Sequence, residues 1–260
     1  MVCKITDNNI YNLVNHLDIK KNDILLITSN TVPIIIEYKK KGTVNFNKFI
    51  DKFLEKLGKN GTLLFPTFSW NFCKGLGFDY YKTSSETGSL SKIALQRSDF
   101  TRTKHPIYSF AVTGKDSKKL FKLDYKSGWG KDSVFDYLYK NNAKNLFIGM
   151  DYKDGFTFDH FIEEKNKVDY RFFKTFSGSY TDKNKKTIIK KYKMFVRDLN
   201  LNGRTEINPK LDKILIKNNC YKKYKLSNIN IGLINLKTAG KIMDEDIKKN
   251  GGLIFSRSLK

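Results

Sequence analysis

Short apolar runs alternate with stretches of helical spacing through the first two thirds of this chain, and that alternation constrains its fold more than any other feature. Residues 23–28 (DILLIT) form an apolar, β-branched run led by charge, which predicts a short buried strand. Phe46, Phe49, Ile50, Phe53, Leu54 and Leu57 then recur with the spacing of one helical face, and Gly58 and Gly61 mark its end. Residues 62–65 predict a second buried strand, stopped by Pro66. Helices are expected over 89–97 and 134–139, strands over 107–112 and 145–149 (NLFIG), and a further helix near 158–165. Such a pattern predicts an α/β sandwich around a mostly parallel sheet.

In such sheets a ligand binds where loops leave the carboxyl ends of the strands. Three loops qualify: 29–31, 66–70 and 150–157, all with small polar residues. The strongly basic segment 182–193 reads as a solvated helix face or loop. The C-terminal third alternates less clearly. With no internal repeat and no long linker, residues 1–260 are expected to form a single domain.

Composition narrows the function classes. With 40% apolar and 14% aromatic residues the chain can bury a core, which excludes a disordered protein. No apolar run approaches the roughly 18 residues of a membrane helix, and the first 20 residues lack a signal-type apolar stretch. Cys3, Cys73 and Cys220 are scattered, which suits a reducing compartment and cannot build a cysteine zinc site. A cytoplasmic protein without a membrane span is expected. Lys+Arg 49 against Asp+Glu 26 gives +23, a charge that attracts polyanions and that an AT-rich genome also produces.

Three histidines are candidates for chemistry: His16, His105 and His160. His16 sits in a helix-like N-terminal stretch and reads as a surface residue. His105 precedes Pro106, which favours extended backbone. His160 lies three residues before Glu163, so on a helix imidazole and carboxylate are neighbours, with Thr157 placed to cap that helix. A histidine backed by a carboxylate at a strand's carboxyl end suits general-base work. Phosphate-loop, dinucleotide, zinc-protease and esterase-elbow motifs are all missing from the sequence, and no metal site is expected.

Five collinear stretches resemble the aminoglycoside 3-N-acetyltransferase family. They are 61–67 (GTLLFPT), 87–91 (TGSLS) with 102–110 (RTKHPIYSF), 130–138 around Gly130-Lys-Asp-Ser133, 145–163 ending in Thr157-Phe-Asp-His-Phe-Ile-Glu163, and the later Tyr170-Arg171 and Val196-Arg197. The resemblance covers about residues 20–200. It implies a three-layer α/β/α sandwich that transfers an acetyl group from acetyl-CoA to an amine, without an acyl-enzyme. Carried over by position, His160 is the general base, Glu163 the group that orients it or holds the acceptor ammonium, and Thr157 belongs to the same catalytic core. Ser29, Asn30, Thr67, Phe68, Thr103, His105, Ser109 and Phe110 fall in the stretches expected near CoA. Asp159 is not typical of the family, and Thr103 stands where serine is usual.

The chemistry agrees with those residue types. An amine of pKa about 8 is mainly ammonium at neutral pH and must lose a proton before attacking a thioester. Aminoglycosides are polycations, and a protein at +23 is a poor overall match for them. An anionic acceptor, such as a nucleotide-linked amino sugar of surface-glycan synthesis, is therefore the expected partner beside CoA, with an aminoglycoside as the alternative. A nucleic-acid binder is not expected, because most aromatics fall at core-like periodicity, and a CoA binder without turnover conflicts with the presence of both His160 and Glu163. The sequence leaves a homodimer open.

Overall fold

The computed structural model describes residues 2–7, 9–39, 42–200, 204–208, 210–252 and 256–259. Strands β1 to β7 span Val2–Ile5, Ile24–Ser29, Thr62–Pro66, Phe78–Asp79, Thr101–Arg102, Phe110–Gly114 and Lys144–Ile148; β8 to β13 span Arg171–Thr181, Thr187–Arg197, Arg204–Ile207, Tyr221–Leu226, Ile229–Asn235 and Ser256–Leu259. Helices α1 to α8 span Val32–Tyr38, Phe46–Leu57, Ser89–Gln96, Ser117–Lys122, Val134–Lys140, Asp159–Asn166, Lys210–Lys217 and Leu236–Asn250.

An eight-stranded sheet runs β1-β11-β12-β7-β2-β3-β6-β5. Its centre, β7-β2-β3, is parallel, with Leu26 opposite Asn145 and Ile24 opposite Thr62. The flanks are mixed: β12 and β6 run against their neighbours, so four of the seven pairings are antiparallel. The expected mostly parallel sheet is thus realised at the centre and in the edge pair β1-β11, and the rest is mixed. For β11 and β12 the physical reason is a connection of only two residues, across which only an antiparallel partner can be reached.

Adjacent residues of the central strands serve two separate cores. Leu25, Ile27, Leu63, Phe65, Leu146 and Ile148 pack on one face, and Leu26, Leu64 and Phe147 on the other. Burial on both faces is why these strands read as unbroken apolar runs. The predicted α2 is present and buries Phe49, Ile50, Phe53 and Leu57. Asn45 accepts the Lys48 amide at its start, and Gly58, at φ 67°, closes its end.

Two expectations are corrected. The strand predicted at 107–112 begins only at Phe110, because the Ile107 and Tyr108 amides donate to the His105 ring instead of to a ladder. The basic segment 182–193 is neither helix nor plain loop: residues 187–193 belong to β9, which pairs with β8 in a long hairpin. Tyr192 and Met194 are buried, and Lys190, Lys191 and Lys193 around them hid that period of two.

The C-terminal part extends the sheet and braces α6. Asp244 of α8 accepts from Lys165 and Asn166 at 2.8 and 2.9 Å. Gly240 lets α8 come close, since a Cβ there would lie 2.8 Å from the Tyr139 ring and 3.1 Å from Ile162. No helix among the described residues is long and apolar enough to cross a membrane.

Candidate active site

Because β2, β3 and β7 are parallel, the loops that follow them leave the same end of the sheet and line one cleft of about 590 Å³. Its walls include Ser29, Asn30, Phe68, Thr157 and His160, together with Thr87–Ser89 at the start of α3. Gly149 makes the turn after β7 possible. It has φ 71°, and a Cβ would stand 2.2 Å from the Asn30 carbonyl oxygen. An alanine there would push the Asn30 loop out of the cleft wall.

His160, in the first turn of α6, is held through Nδ1. Glu163 Oε2 lies 2.8 Å away and Asp159 Oδ1 3.0 Å away. Tyr170 donates to Glu163 Oε1 at 3.0 Å, and Arg171 Nε sits 2.8 Å from Glu163 Oε2. The cation that such acids attract is therefore supplied by the chain itself, at the first residue of β8. The Trp129 ring stands against the imidazole at 4.8 Å between centroids. Nε2 takes no hydrogen bond from the described residues and is the nitrogen left for the cleft.

Burial works against the imidazolium, but the Asp159 and Glu163 carboxylates outweigh it and push His160 up to about 9. Burial alone would raise the Glu163 carboxyl; His160, Arg171 and Tyr170 reverse that and hold it below its usual range. The raised His160 value stabilises the fold fully below pH about 6.5 and less as pH climbs through 9. Unfolding midpoints measured from pH 6 to 10 should therefore fall across that window. The His160→Gln protein should show a flatter curve there; parallel curves would contradict the shift.

The other expected site residues divide clearly. Thr67 and Ser109 are buried and bond each other at 2.9 Å, and Arg102 donates to Ser109 Oγ at 3.0 Å and to the Thr67 carbonyl at 3.2 Å. Thr103 Oγ accepts the Phe110 amide at 2.9 Å. His105 is buried, stacked on Tyr125, and pushed down to about 3 by burial, so it is neutral. Phe110 is fully buried between Phe68 and Phe135. None of these five lines the cleft. His16 lies on the surface, 3.6 Å from Asp7. Thr157 does not cap α6: the helix starts from Phe158 without a side-chain cap, because a turn over 155–159 already occupies these amides.

Several lining or supporting groups were not legible as site residues: Thr87, Gly88, Tyr108, Asn145, Asp154, Arg171 and Trp129. Thr87, Gly88 and Arg171 lie in stretches the family resemblance had already marked. Asn145 is a polar residue inside an apolar strand, a signal in itself. Ser133, in the 130–138 stretch, caps α5 by accepting the Asp136 amide at 3.2 Å.

The lining contains Asp154 and His160 but no lysine or arginine among the described residues, although the chain as a whole carries +23. The cleft can thus bind a neutral or cationic group against an imidazole whose far side is anchored by carboxylates.

Comparison with known proteins bears on this arrangement. The chain is similar to aminoglycoside acetyltransferase AAC(3)-Xa, at 16% identity and a TM-score of 0.76 over 95% of this chain and 93% of that one. It is similar to AAC-IIIb in binary complex with CoASH, at 13% identity and a TM-score of 0.73 over 95% and 97%. It is also similar to AAC-VIa bound to sisomicin, at 15% identity and a TM-score of 0.72 over 92% and 96%. No curated protein sequence matches the chain. These structures share the fold, and the sequence pattern described as aminoglycoside 3-N-acetyltransferase matches residues 38–247, most of the chain: it belongs to that family, whose members are N-acetyltransferases with acetyl-CoA as the acyl donor.

Proposed function

We propose that the chain, as one domain built as a three-layer α/β/α sandwich, acetylates an amine of an aminoglycoside-type polyamine sugar, with His160 as general base. The observation that carries the acceptor class is the cleft lining, which offers the Asp154 carboxylate and, among the described residues, no lysine or arginine beside the proposed base. The overall charge had favoured an anionic acceptor, but binding is decided by the potential inside the cleft rather than by the sum over the surface. Acetyl-CoA and three unpaired cysteines suit the cytoplasm.

The residues fit a CoA substrate. Gly88, at φ 97°, brings the start of α3 to the Ser29 carbonyl, where a Cβ would come within 3.2 Å. The start of α3 has no side-chain cap and no acid in its first turn, and Gly88 and Ser89 line the cleft beside Ser29, Asn30 and Thr87. Those groups would hold a phosphate or the pantetheine amides. Phe68 offers an apolar wall to the pantetheine chain. Thr67, Thr103, His105, Ser109 and Phe110 act one step behind, fixing the loop that carries Phe68.

In the reaction the acceptor attacks as the neutral amine, and His160 Nε2 accepts the one proton that the nitrogen sheds. The nitrogen bonds to the acetyl carbon, the carbon–sulfur bond breaks, and the imidazolium returns the proton to the departing thiolate. The products are an acetamide and CoA thiol. Glu163 stabilises the imidazolium from Nδ1, and Thr157, which lines the same cleft, would donate to the developing oxyanion.

The test follows CoA thiol release from acetyl-CoA with an aminoglycoside panel and a panel of nucleotide-linked 3- or 4-amino sugars. Turnover with aminoglycosides is expected. Turnover confined to nucleotide-linked sugars would overturn the acceptor class, and silence with both would remove amino sugars altogether.

A further inference from the structure

The carboxylate of Asp159, the residue before the base, has no assigned role. We infer that Asp159 is a positioning residue that fixes the tautomer of His160, keeping the proton on Nδ1 so that the Nε2 lone pair faces the cleft. The inference rests on the reading of His160 as the base.

The need for a second carboxylate comes from crowding around Nδ1. Glu163 Oε2 is shared, with His160 Nδ1 at 2.8 Å and Arg171 Nε also at 2.8 Å. Arg171 NH2 lies only 3.0 Å from Nδ1 and can donate to it whenever Nδ1 carries a lone pair. That alternative puts the proton on Nε2 and leaves no base in the cleft. Asp159 Oδ1, 3.0 Å from Nδ1, makes the alternative costly by facing a lone pair with a carboxylate. The Asp159 oxygen is itself held by the His160 backbone amide at 2.6 Å, so it cannot swing away freely. The remaining groups around the ring do not replace it. Tyr170 is bound to Glu163 Oε1, Glu164 turns away to accept from Ser127 at 2.6 Å, and Tyr108 and Asp154 stand on the cleft side.

The same two carboxylates hold His160 up to about 9, which makes Nε2 a stronger base that is scarcer at neutral pH. Removing one therefore has opposite effects at the two ends of the pH range.

The experiment compares the parent, Asp159→Asn and Asp159→Ala. ¹⁵N spectra taken above the His160 pKa, with the signal assigned by its loss in His160→Gln, should show Nδ1–H alone in the parent. Both Asp159 variants should show a mixture and a lower titration midpoint. With one acceptor throughout, the kcat/KM inflection should move down by roughly one pH unit, and the alkaline plateau should fall by up to roughly tenfold. At pH 6.5 the variants should match or exceed the parent. CoA affinity should not change. A tautomer and pH profile identical to the parent in both variants would overturn the role of Asp159, even if His160→Gln is inactive. Full turnover by His160→Gln would instead remove the base assignment beneath it.

Discussion

The His160→Ala enzyme is expected to bind CoA as the parent does and to lose kcat by about 10²–10⁴-fold. Binding should survive because the cleft walls at Ser29, Asn30, Phe68 and Thr87 do not depend on the ring. The fold should survive as well, because Glu163 keeps its contacts to Arg171 and Tyr170 once the imidazole is gone. Turnover then lacks the imidazole that lines the cleft. A kcat within threefold of the parent, measured by thiol release, would show that the acceptor amine is deprotonated elsewhere.

Phe110→Ala is expected to act on stability rather than on contact with substrate. The ring is fully buried and meets Phe68 and Phe135 edge-on, each at 5.3 Å between centroids. Emptying that space should cost about 3–5 kcal/mol, from lost apolar burial and from a cavity that stiff neighbours cannot close. For a chain of this size that lowers the melting temperature by roughly 6–20 °C. CoA affinity of the folded fraction should drop only modestly, through the Phe68 wall. A large loss of CoA affinity with unchanged melting would mean that the ring touches the substrate after all.

The centre of the fold was legible because its strands are buried on both faces: short continuous apolar runs such as 23–28 and 62–65 leave no polar side to turn toward water. The three cleft loops followed from the same reading. The mixed flanks did not, because the direction of β12 depends on a two-residue turn rather than on any pattern in its side chains. The His160–Glu163 pair was visible as a spacing of three on a helix. Arg171 and Trp129 reach the ring from distant segments, and no local period records such meetings. Thr67, Ser109 and His105 are polar residues in a marked stretch, which points to a site. Their partners turn out to be Arg102 and backbone amides, an internal scaffold that sequence cannot tell from a ligand contact.

Arg171 opens the hairpin β8–β9 while it holds a carboxylate of α6, and its NH1 donates to the Phe195 carbonyl on the opposite strand at 3.1 Å. The His160 imidazole therefore sits on α6, which follows β7 of the eight-stranded sheet, while part of its anchorage comes from the three-stranded one. With His160 as the proposed base, competence for the reaction becomes a property of the docked pair of sheets. A chain whose hairpin has come loose would keep most of its secondary structure yet hold its histidine in a weakened frame, so activity reports on the cohesion of the two parts more sensitively than spectroscopic measures of folded content.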